Sequence, residues 1–193
     1  PTTIFEILEH VEEHRQTPLI GTFIRIIRLS AVLLSIYLVP VWSLSVSFMQ
    51  WDWTFFIQIL LVELSIELLR IATIHTPEAI SNAMGLIAAL LLGQFAIDLG
   101  FFSEEILLFC AVGALGGFAT PHYELSLTNK YIKVMMIVSI MLFNIFGFVI
   151  FNIFLWVYLA RLKPFGMSYL SPLFPLDLKK LGQFIIRKPK KGK

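Results

Sequence analysis

The sequence predicts an all-α fold, a polytopic helical membrane protein with four to five membrane helices, one of them re-entrant. Three observations carry this. Hydrophobic residues make up 58% of the 193 and charged residues only 15%, where a soluble domain holds about 45 to 50% and about 25%. The mean hydropathy is +0.83. The apolar residues also come in blocks of about 20, the length a bilayer's hydrocarbon thickness demands, rather than at helical or strand period.

Residues 1–28 read as an amphipathic linker helix and a turn leading into the membrane. Glu6, Glu9, Glu12 and Glu13 fall at amphipathic spacing, and Pro18-Leu19-Ile20-Gly21 punctuates the run. The chain starts at Pro1 with no visible signal peptide, and it reads as part of something longer.

Five apolar elements fill residues 29–160, the expected transmembrane domain. Leu29 to Met49 is of spanning length, with Pro40 a candidate kink and Trp42, Trp51 and Trp53 an interfacial belt near its far end. Thr54 to Ile74 is long enough to cross but carries Glu63, Glu67 and Arg70. Asn82 to Leu99 contains Gly85, Gly93 and several alanines, a small-residue surface expected to pack against another helix. Glu104 to Phe118 is short for a crossing, and Lys133 to Leu159 is long enough to cross with tilt.

Charge sets the expected orientation. Arg15, Arg25 and Arg28 precede the first long block, and residues 161–193 form a basic tail. Beside membrane spans such ends mark the cytoplasmic side and anionic headgroups rather than nucleic acid. Five full crossings would separate the two basic ends, so one element is expected not to cross. The candidates are the short Glu104 to Phe118 and the charged Thr54 to Ile74; the former is preferred, because Gly116-Gly117-Phe118-Ala119-Thr120-Pro121 reads as a helix-breaking sequence.

The candidate functional residues are the polar ones inside these blocks. Glu63, Glu67 and Arg70 share one helical face, with Glu67 placed to pair with Arg70 and Glu63 left without a cation within one turn. Charges at membrane depth are costly, which points to an ion pathway or an inter-helix lock; a shallow interfacial helix is the plainer reading. Gln94 and Asp98 form a second polar face or an interface end. Thr120, Pro121, His122 and Glu124 form a gate or a polar loop at the headgroups.

Enzyme chemistry is not expected. The chain lacks a P-loop, G-x-G-x-x-G, G-x-S-x-G and H-E-x-x-H, so no catalytic residue, cofactor or metal site is assigned. His10 and His14 are four apart but sit in a solvated acidic stretch without further ligands. Cys110 is the single cysteine, reads as apolar filler and excludes an intrachain disulfide.

Several stretches resemble the membrane half of the GerA-type spore germination receptor A-subunit family. They are Arg15 to Arg25, Glu67-Leu68-Leu69-Arg70, Ala83 to Ile87, Ala119 to Ser126 and Leu162 to Pro172, in order along nearly the whole chain. The resemblance implies a soluble domain upstream, the spore inner membrane, and a multimeric ion-conducting complex with other germination membrane proteins. A homo-oligomeric channel subunit in the lipid bilayer is the leading expectation, and a non-conducting scaffold for partner proteins the alternative.

Overall fold

The computed structural model describes residues 18–49, 51–75, 83, 85–88, 90–120 and 122–162. Helix α1 is Pro18–Met49, α2 is Trp53–His75, α3 is Gly85–Asp98, α4 is Glu104–Phe118 and α5 is Tyr123–Arg161. No strand occurs among the described residues. The all-α expectation holds; α1 (from Ile20) is long and apolar enough to cross a membrane as one helix, and the stretch Tyr123–Arg161 meets the same measure over its 39 residues although it folds as two arms. The most apolar windows of these two are only 33% and 22% buried, so both present most of their apolar surface outward, unlike a soluble core helix.

Helix α1 differs from the expected turn at residues 18–21. From Pro18 it runs unbroken through Gly21 to Met49. Pro40 lies buried inside it, and Ser43 Oγ donates to the Pro40 carbonyl at 2.9 Å. Most of the acidic stretch, Pro121 and the basic tail from residue 163 lie outside the described residues.

The core forms where α1, α2, α4 and α5 meet. Val39, Phe56, Ile59, Val62, Ile106, Cys110, Met136, Ile137 and Ile140 are all fully buried there, and Trp42 stacks on Phe109 with ring centroids 4.4 Å apart. Helix α3 holds a π-helical turn over Leu91–Phe95 and leaves Leu86, Ile87, Leu90 and Leu91 exposed. Nothing lies within 4 Å of where a Cβ would stand at Gly85 or Gly93. The close packing expected there is not made among the described residues.

That packing is made by α4 instead. A Cβ on Gly116 would meet the Ala31 carbonyl oxygen at 2.6 Å and the Ser35 nitrogen at 3.1 Å, and one on Gly113 would meet Val39 at 3.3 Å. These glycines do not break the helix, which ends only after Phe118. They let the backbones of α4 and α1 approach closely, the use of small residues that membrane helices favour.

Helix α5 is two helices. Asn144 has φ 52° and ψ −133°, a positive φ that asparagine tolerates better than most residues with a Cβ. Asn152 Nδ2 lies 3.9 Å from Met136 Sδ, although 16 positions of straight helix would span about 24 Å. The chain therefore reverses at Asn144, and the two arms, 123–143 and 145–161, lie antiparallel. Gly147 packs directly on the Ser139 carbonyl, where a side chain would not fit.

The reversal sets the direction of every element. Ser126 Oγ donates to Gly117 O, Gly113 faces Lys133, and Ser47 Oγ donates to Asn144 Oδ1, so the first arm runs parallel to α1. Tyr37 OH donates to Asn152 Oδ1 at 2.9 Å, so the second arm runs back along α1. Arg161 returns to the end of the bundle where α1 begins. The hairpin adds a reversal that the count of apolar blocks does not include.

The glycine seam gives a direct comparison of stability. Gly116→Ala should lower the thermal midpoint of the detergent-solubilised protein, by an amount equivalent to about 1–3 kcal/mol of overpacking. Gly93→Ala should leave it unchanged or slightly raised. Equal midpoints for the two variants would contradict the seam.

Candidate functional site

Helix α2 and the first arm of α5 run antiparallel, and each carries two charges about one turn apart. Glu63 and Glu67 therefore meet Lys133 and Lys130 in reverse order. Lys133 Nζ donates to Glu63 Oε1 at 2.7 Å. Lys130 Nζ lies 3.0 Å from Glu67 Oε2 and 3.7 Å from Glu63 Oε2. The Glu63 and Lys133 side chains are 1% and 3% exposed and the Glu67 and Lys130 side chains 14% and 15%, so water screens the inner pair least. Phe56, Ile59, Val62 and Cys110 make the surroundings apolar.

An unpaired charge in such a place is strongly disfavoured, while a pair is close to neutral in cost. Two acids against two lysines give a balanced set. The set is not fully hydrogen-bonded, however. Glu63 Oε2 and both Glu67 carboxylate oxygens are buried without a hydrogen bond, since Lys130 approaches Glu67 closely but outside hydrogen-bond angles.

The expected pairing of Glu67 with Arg70 is corrected by this geometry. Glu67 takes Lys130, and Arg70 Nη1 donates to Ser126 Oγ at 2.8 Å while its guanidinium lies over the rings of Phe118 and Tyr123 at 5.4 and 5.0 Å. Two aromatic faces are an effective resting place for a guanidinium. Glu63, expected to lack a cation, has the shortest ion pair of the cluster.

A cavity of about 20 Å³ lies beside the cluster, lined by Ser35, Glu67, Arg70, Ser126, Lys130 and Lys133 among others. It has room for about one water. The other candidate residues stand apart from it. Gln94 and Asp98 are exposed on α3. Thr120 is buried and donates to Gly116 O within its own helix end at 3.2 Å, while His122 and Glu124 are exposed.

Sequence reasoning missed Lys130 and Lys133, because both sit where a polar flank was read as ending and an apolar block as starting. Their three-residue spacing on one face, matching the four-residue spacing of Glu63 and Glu67, was the available signal. Among the described residues no group of histidine, cysteine and acidic side chains could hold a metal ion.

The family described as Bacillus/Clostridium GerA spore germination protein matches residues 1–52 and 50–193. Stage V sporulation protein AF of Bacillus subtilis (strain 168) is 42% identical over 208 residues, covering 100% of this chain and 42% of that protein. Spore germination protein A1 of the same organism is 24% identical over 210 residues, covering 100% of this chain and 44% of that protein. Spore germination protein GerLA of Bacillus cereus is 24% identical over 207 residues, covering 98% and 42%. The chain thus spans somewhat over two-fifths of the length of these relatives. No solved structure matches.

The pairing is testable by neutralisation. Glu67→Gln should lower the thermal midpoint by the equivalent of about 1–3 kcal/mol, because Lys130 is left without its nearest anion. Adding Lys130→Gln should recover part of the loss, and adding Arg70→Gln should not. Recovery by Arg70→Gln instead would contradict the observed pairing.

Proposed function

We propose that this chain, which belongs to the Bacillus/Clostridium GerA spore germination protein family, is the membrane-embedded part of a non-enzymatic spore germination subunit, several copies of which together conduct ions. Its setting in this reading is the spore inner membrane, beside other germination membrane proteins. The observation that carries the reading is the charge cluster. Four ionisable side chains stand midway along α2 and the first arm of α5, in stretches rich in apolar residues, and intramembrane ionisable groups are kept where ions, water or a moving element need them.

A second reading has its own support. The cluster is internally balanced and the cavity beside it holds about one water, as suits a rigid scaffold that holds partner proteins and conducts nothing. In either reading the outward apolar side chains of α1, α3 and α5 are covered by lipid or by neighbouring chains.

Conductance of the full-length protein, reconstituted in a planar lipid bilayer, separates the two. The channel reading expects current that scales with the amount of assembled protein. Assembled protein that recruits its partners yet passes no current under any stimulus would leave the scaffold reading in its place.

A further inference from the structure

Two spaces meet at the charge cluster. The polar cavity of about 20 Å³, partly open to the outside, reaches Ser35 on α1 and the glycines of α4. A groove of about 480 Å³ lies outward between α2 and the first arm of α5, lined by Leu60, Leu64, Leu127 and Tyr131 beside the charges. Lys133 lines only the cavity, and Glu63 only the groove. Glu67 and Lys130 line both.

The three carboxylate oxygens without a hydrogen bond belong to Glu63 and Glu67, at this boundary. Ionised carboxylates only accept, so whatever completes them must donate. The Cys110 thiol lies beside Glu63 and is one such donor; for the two Glu67 oxygens, with two acids already balanced by two lysines, the neutral donor, water, fits better than a further cation. The inner cavity has the volume for one.

We propose that the Glu67–Lys130 ion pair is a gate for water. Closed, it divides the inner cavity from the outer groove; opened, it joins them into one hydrated passage along α2 and α5. The suitability of this pair for moving follows from its geometry. It is the more exposed of the two pairs, it lacks hydrogen-bond angles, and the Lys133–Glu63 bond beside it holds the helices while it swings. The proposal deepens the conduction reading and rests on it for its purpose, since a conducting path must first be wet.

The test places a thiol in the inner cavity and asks when water-borne reagent reaches it. Ser35 is 3% exposed and lines the cavity, so Ser35→Cys in a Cys110→Ala background is the reporter, in the full-length protein in liposomes with a small water-soluble methanethiosulfonate reagent. Adding Lys130→Ala should raise the labelling rate several-fold. Adding Lys133→Ala, which breaks the more deeply buried pair but lines only one of the two spaces, should raise it far less. An equal rise with both would mean general loosening, and no rise with Lys130→Ala would mean no gate; either overturns the proposal. Bilayer current is read on the same proteins. Selective labelling with Lys130→Ala, accompanied by no current in any variant, supports the gate while removing the conduction reading.

Discussion

Two carboxylates on α2, Glu63 fully buried and Glu67 partly so, must be met by cations, and this constraint orders the rest of the molecule. Removing one partner from a buried pair costs about 3–5 kcal/mol, a large share of the stability of an ordinary domain. A neighbouring helix with lysines at matching spacing satisfies both acids together. The first arm of α5 does this with Lys130 and Lys133. Register between the two helices is thereby fixed by charge, in a place where apolar contact alone would tolerate sliding.

The neighbouring contacts bring the lysines to the right height. Gly113 and Gly116 let α4 lie close on α1, and the Lys133 ammonium sits over Gly113, 3.6 Å from where a Cβ would stand. Ser126 joins the same region, accepting from Arg70 and donating to Gly117 O. At the far end the reversal at Asn144 is tied to α1 through Ser47 and backed by Gly147. The charged cluster, the glycine seam and the hairpin are parts of one arrangement centred on the first arm of α5.

Much of this was legible in the sequence where block length and composition suffice. The bounds of α4 are the same in sequence and structure, and α2 differs by a residue at each end, because long apolar runs with clear polar breaks leave little choice. What was not legible depends on other helices. Spacing within α2 pointed Glu67 at Arg70, since local reasoning compares only residues on the same helix, whereas the real partner lies 63 positions away. Gly116-Gly117 reads as a breaker from propensity and serves as a contact surface in the bundle, where tertiary packing overrides intrinsic preference. The reversal in α5 was hidden in an unbroken apolar run, with Asn144 and Gly147 its only marks.

Exchange of the two charges of the innermost pair tests the account most directly. Glu63→Lys and Lys133→Glu, made singly in the full-length protein, each place like charges together in an apolar setting; made together, they restore an ion pair of opposite polarity. The measurement is the thermal midpoint, with the yield of folded protein from membranes, for the two single variants and the double. The account predicts that the double variant is clearly more stable than either single one. A double variant as damaged as the sum of its two singles would contradict the claim that this charge pair holds α2 to α5.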